Sequence, residues 1–178
     1  MRRCTVFVAA LVAAGCGERA VTGGAGSTGA NAALVASVQS ELAPPVVFNT
    51  QLRSELEVPT CVSESKGLAQ IEILQDGTIE AIVLINNKDP EVVRFGHIHH
   101  LNPGAQTGPV IWWLTPVGTN LGLTDEHIDV RQTGLFSTNP HFATHEDGLA
   151  ELLRDPGSFY VNFHSDKCPG GFARGFLP

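Results

Sequence analysis

The sequence predicts an all-β fold, an antiparallel Greek-key-like sandwich or barrel with one short helix. Three observations predict it. Short apolar runs alternate with period two, strong turn residues separate several of them, and one later segment carries a helical apolar face behind a cap. Many short strands with a single helix fit two packed sheets or one closed sheet.

The first strand reads as Val46-Val-Phe-Asn-Thr-Gln-Leu52, with loose alternation. Gly67 to Leu74 alternates well, and Gln75-Asp76-Gly77 follows as a turn, Asp-Gly being among the strongest hairpin signals. Thr78 to Ile85 is the return strand. Val92 to His99, Val110 to Leu114, Phe159 to His164 and Phe172 to Leu177 complete the set. The helix follows Thr144, a good N-cap, with Asp147 three residues on and Leu149, Leu152 and Leu153 as its apolar face before Pro156. No internal repeat is evident.

The N-terminal residues point out of the cytoplasm. Arg2 and Arg3 form a basic start, and Val6 to Ala14 is an apolar run too short to span a bilayer, so residues 1–15 read as a secretory signal. Ala13-Ala14-Gly15-Cys16 places a cysteine directly behind small residues, as in a bacterial lipobox, where Cys16 becomes the acylated first residue. Ordinary signal cleavage nearby is the alternative. Residues 17–33 are rich in Gly, Ala, Ser and Thr and cannot bury enough surface to offset ordering entropy. Residues 16–45 are therefore a flexible tether, within which Leu34, Val35, Val38 and Leu42 suggest a short helix ended by Pro44-Pro45. Residues 46–178 are left as one domain with a real core.

The net charge is −7, and removing the two charges of Arg2 and Arg3 takes it to −9. An acidic domain without Lys or Arg clusters argues against nucleic acid and against electrostatic binding to anionic membranes. Membrane contact would come from the lipid. Of four cysteines, Cys4 leaves with the signal and Cys16 carries the lipid, so Cys61 and Cys168 remain as an even pair bound for an oxidising compartment. They are expected to form a disulfide, the alternative being two buried thiols; no CxxC spacing supports a metal role.

His97 and His99 lie two apart in a strand, so both side chains point to one face and can converge on one ion. His100 must point the other way. His164 ends another strand and could complete a three-histidine set, which suits copper or zinc and leaves an open position for water or substrate. From spacing alone, a structural role for these histidines is the favoured reading. Such a set is expected to prefer copper(II) to zinc and to lose affinity as pH falls near about 6.5. Arg174 has a structural reading, pairing with Glu57 or Asp166. Trp112 and Trp113 adjoin in one strand, so one ring faces in and the other out. His127, His141 and His145 read as surface histidines. No phosphate loop, Ser-His-Asp arrangement or glycosidase-type carboxylate pair is recognisable.

Several motifs follow one another in a specific order. They are a Phe48-x-x-x-Leu52 strand, Glu57-Val58-Pro59, a Gly67-x-Ala69 strand, Gly96-His97-Ile98-His99, Gly108-Pro109-Val110, Val161-Asn162-x-His164 and Gly170-Gly171-x-x-Arg174-Gly175-x-Leu177. This series resembles the CHRD family, the domain named after chordin, across roughly residues 46 to 178. An insert at about residues 116–148 separates the fifth strand from the helix. A more distant similarity in motif order, by analogy, is to copper–zinc superoxide dismutases. There the positions matching His97, His99 and His164 bind copper, and the one matching Arg174 attracts the superoxide anion. Together with the lipobox-like start, the resemblance points to a lipid-anchored, extracytoplasmic module of the cell envelope, non-enzymatic, with a histidine transition-metal site or a protein partner. The alternative is a copper-dependent redox enzyme of dismutase-like type, with Arg174 as its catalytic residue.

Overall fold

The computed structural model describes residues 45–88, 91–117, 119–137 and 140–178. The signal segment, Cys16, the tether and the short helix expected there lie outside the described residues, apart from Pro45 at the tether's end. Among the described residues, no helix is long and apolar enough to cross a membrane.

Among the described residues, eight strands run in the order β1 (Val46–Leu52), β2 (Lys66–Ile73), β3 (Ile79–Asn86), β4 (Val93–His100), β5 (Val110–Trp113), β6 (His127–Gly134), β7 (Phe159–Ser165) and β8 (Ala173–Phe176). The α-helix α1 (His145–Arg154) precedes β7. The strands form two four-stranded antiparallel sheets, β1-β2-β3-β6 and β5-β4-β7-β8. The chain leaves the first sheet after β3, builds β4 and β5 in the second, and returns so that β6 pairs with β3. Of the two forms expected, the sandwich is the one adopted; no closed barrel forms among the described residues.

Period-two burial explains the layers. Ile79, Ala81, Val83 and Ile85 of β3 point inward, as do Ala69, Ile71 and Ile73 of β2. Phe159, Val161 and Phe163 of β7 and Ile98 of β4 meet them from the second sheet. Each of the valine, isoleucine and phenylalanine side chains among them, fully buried, contributes about 1.5–3 kcal/mol. The edges are stitched as well. Arg53 and Arg174 exchange backbone hydrogen bonds of 2.8 and 3.1 Å between β1 and β8, and Ser137 N donates to Ile111 O at 2.9 Å on the β6–β5 side.

The Asp76-Gly77 turn connects β2 to β3, with Thr78 N donating to Asp76 Oδ1 at 2.9 Å. α1 is capped as its sequence predicts: Thr144 Oγ1 accepts from Asp147 N at 3.1 Å, and Leu149 and Leu152 are buried. β6 is the strand hidden in the 116–148 insert. Its inward positions are Ile128, Val130, Gln132 and Gly134, and only the first two are apolar, too few to show alternation.

Candidate metal centre

Register brings the three predicted histidines together. β4 and β7 are adjacent and antiparallel, with Phe95 opposite His164, His97 opposite Asn162 and His99 opposite Tyr160. Side chains directly opposite share a face, so Phe95, His97, His99, Tyr160, Asn162 and His164 all project from the outer face of the second sheet. The metal-binding nitrogens of His97, His99 and His164 lie within 4.8 Å of one another. Nitrogens sharing one ion at about 2.0–2.1 Å each stand at most about 4.2 Å apart, so loading would draw the rings slightly inward.

Two backbone carbonyls orient the rings. His99 Nδ1–H donates to Gly108 O at 3.0 Å, and His164 Nδ1–H donates to Pro169 O at 2.8 Å. Each bond fixes the tautomer that leaves the Nε2 lone pair free, the arrangement seen around metal-ligating histidines. His99 Nε2, His164 Nε2 and both nitrogens of His97 are closed to solvent and have no hydrogen-bond partner. A buried polar atom left unpaired costs about 1–3 kcal/mol, and a shared ion would satisfy three of these four nitrogens at once. The donor set fits a transition metal.

Aromatic rings wall the cluster. Trp113 meets His97 edge-on at 4.2 Å, Phe95 lies 5.1 Å from His97 and 4.9 Å from His164, and Tyr160 stacks on His99 at 4.7 Å. Trp112 points the other way into the core, so the pair divides as expected. Burial makes the charged imidazoles unfavourable. His97 is lowered to about 3 by burial and then by His164 and His99; His99 is lowered to about 4, again chiefly by burial. His164 is lowered for the same reason. Proton competition for an ion held here would therefore fall below the unperturbed imidazole value.

The same shifts give the metal-free protein a pH-dependent stability. Unfolded imidazoles take up protons below about pH 6.5, whereas the folded cluster stays neutral to about 4 and 3. This contribution is fully present above about pH 6.5 and is lost as pH falls toward 4 and 3. Wild-type denaturation midpoints should drop over that window more steeply than those of a His97→Ala/His99→Ala variant. Parallel curves would contradict the burial argument.

Arg174 sits beside this cluster, 1 % exposed, with its guanidinium 3.7 Å over the Tyr160 ring and 4.8 Å over Phe176. It also donates to Gln106 O. Glu57 is its electrostatic partner; Asp166 pairs with Arg94 instead. The Glu57 carboxylate accepts twice from Asn162 Nδ2, at 2.8 and 2.7 Å. Burial pushes Glu57 up to about 8, partly offset by Arg174, Asn162 and the Ala173 N–H. Two motif glycines make room for these contacts. A Cβ on Gly108 would meet His100 O at 1.7 Å, so only glycine lets its carbonyl reach His99. Gly171 has φ +130°, and a Cβ there would meet Asn162 Nδ2 and Glu57 Oε2 at 2.5 Å. Gly171→Ala is expected to cost roughly 2–4 kcal/mol from strain and clash together, read as a lower denaturant midpoint. An unchanged midpoint would show that the Glu57 loop moves aside freely.

The remaining histidines stay apart from the cluster. His100 turns inward against Phe142 and Phe159 at 4.9 and 4.8 Å, as strand alternation requires. His127 is exposed. His145, read from the sequence as a surface residue, is half-buried: its Nδ1 accepts from Phe136 N at 3.0 Å and its Nε2–H donates to Gly77 O at 2.8 Å. It ties the start of α1 to the β2–β3 turn, a contact between distant segments that spacing does not reveal. Sequence reasoning also missed Phe95, Tyr160 and the two orienting carbonyls. Phe95 was open to detection, since it precedes His97 by two residues on the same strand face.

Cys61 and Cys168 form a disulfide with Cα atoms 6.0 Å apart. The bridge expected from the sequence is present. It fastens the segment after Glu57 to the turn whose Pro169 carbonyl holds His164.

The fold and its site thus define an antiparallel β-sandwich carrying a three-histidine cluster on the outer face of one sheet. The sequence matches the model of the CHRD domain over residues 48–177, and the chain belongs to the CHRD domain family. No curated protein and no solved structure matches it.

Proposed function

We propose that this protein is a non-enzymatic binding module of the cell envelope that holds one transition-metal ion between His97, His99 and His164. One observation carries the reading: buried imidazole nitrogens, two of them with tautomers set by backbone carbonyls, converge without any other partner. Equilibrium dialysis of the mature protein against copper and zinc is expected to give one bound equivalent. No retained metal would end the reading.

The alternative is a dismutase-like copper enzyme using Arg174. A small anion would need to reach both the ion and the guanidinium. Arg174 is 1 % exposed and stacked on Tyr160, and the donor nitrogens are closed to solvent, which favours binding over turnover.

Anchoring at the membrane is the second part of the proposal and rests on the lipobox-like run ending at Cys16. Two acyl chains hold a protein stably where one would not. Cys16→Ser should move the protein from the membrane to the soluble fraction. Wild-type protein that is already soluble and begins at another residue would contradict it.

A further inference from the structure

We propose that the three-histidine site selects monovalent copper over divalent ions. The inference rests on the metal-site reading above and deepens it by naming the ion.

Charge comes first. The donor set consists of three imidazoles with no carboxylate or thiolate among them. An ion bound there keeps its whole charge, because neutral ligands offset none of it. The cost of placing an ion in a poorly polarisable interior rises with the square of its charge, so a divalent ion pays about four times what a monovalent ion of equal size pays. The surroundings supply little compensation: Phe95, Trp113 and Tyr160 form the walls, and His97 is 4 % exposed. The fixed charge acting on His99 is the cation of Arg174, which opposes further positive charge. The buried carboxyl of Glu57 is engaged by Asn162 and lies under the influence of the same arginine.

Coordination number points the same way. Copper(II) favours tetragonal sets and zinc a tetrahedral one, so each needs at least a fourth ligand. The donor nitrogens here are closed to solvent, and Phe95 and Trp113 offer no donor. The open position expected from the sequence for water is therefore disfavoured, since the donor nitrogens are closed to solvent and no further protein ligand stands beside them among the described residues. Copper(I), with a filled d shell, imposes no ligand-field geometry and is satisfied by three imidazole nitrogens. The divalent order that places copper(II) above zinc still applies between those two ions.

The test is a competition titration of the mature wild-type protein under anaerobic, reducing conditions. Copper(I) is delivered from a chromophoric chelator, and zinc(II) and aerobic copper(II) titrations are run separately. Copper(I) is expected to bind at least about 100-fold more tightly than zinc(II), or roughly 3 kcal/mol at about 1.4 kcal/mol per decade. X-ray absorption of the copper(I) form should show three nitrogen neighbours and no fourth. Zinc(II) or copper(II) binding as tightly as copper(I), or a four-coordinate bound ion, would overturn the inference and leave the metal-site reading standing. If none of the three ions binds, the metal-site reading itself fails.

Discussion

Alanine at His97, His99 or His164 is expected to weaken copper binding by well over 100-fold in each case. Loss of an outer partner of a metal ligand already costs about 10–100-fold, and these changes remove the ligand itself. The three positions are equivalent in this respect because each contributes a nitrogen with no other partner. His100, His127, His141 and His145 serve as internal controls. His100 faces the core and His145 holds a turn, so alanine there should alter stability without altering affinity. Arg174→Lys keeps the charge but loses the planar stack on Tyr160; it should leave affinity within a few-fold of wild type. Competition against a chelator of known affinity reads all of these. Equal affinity in the three variants and wild type would return the histidines to a structural role.

Removing the Cys61–Cys168 bridge is expected to have the largest effect on stability. The two residues are 107 apart in sequence, and a closed loop of that length restricts the unfolded chain by about 4–5 kcal/mol in the chain-entropy model. A single domain has only about 5–15 kcal/mol of net stability, so a Cys61→Ser/Cys168→Ser variant should be close to unfolding at 37 °C. Pro169, whose carbonyl orients His164, directly follows Cys168, so the variant should also bind copper more weakly. Chemical denaturation of oxidised and reduced wild type checks the same point without mutation. Matching midpoints would show that the segments beside Glu57 and Pro169 are held by packing alone.

What the sequence made legible follows from how local each signal is. The paired strands on either side of Asp76-Gly77 carry alternation and turn chemistry within 20 residues, and both were readable. The α1 cap was readable for the same reason, since Thr144 and Asp147 are three apart. β6 was not, because its contribution to the core rests on Ile128 and Val130 while Gln132 takes the next inward position. The histidine pair His97 and His99 was predictable from strand periodicity, but the approach of His164 depends on the β4–β7 register, which no local spacing encodes. The motif order supplied that long-range information. The depth of the site was also invisible. Its aromatic walls come from β4, β5 and β7, and its orienting carbonyls from loops at 108 and 169, so burial and ring orientation emerge only once these separate segments meet.

The most direct measurement is an anomalous difference map from crystals of the mature protein grown with copper, recorded across the copper absorption edge. A single strong peak is expected between the Nε2 atoms of His99 and His164 and one ring nitrogen of His97, with Trp113 and Phe95 beside it. A peak at His127, His141 or His145, or no peak in a protein whose three histidines are ordered as described, would contradict the assignment.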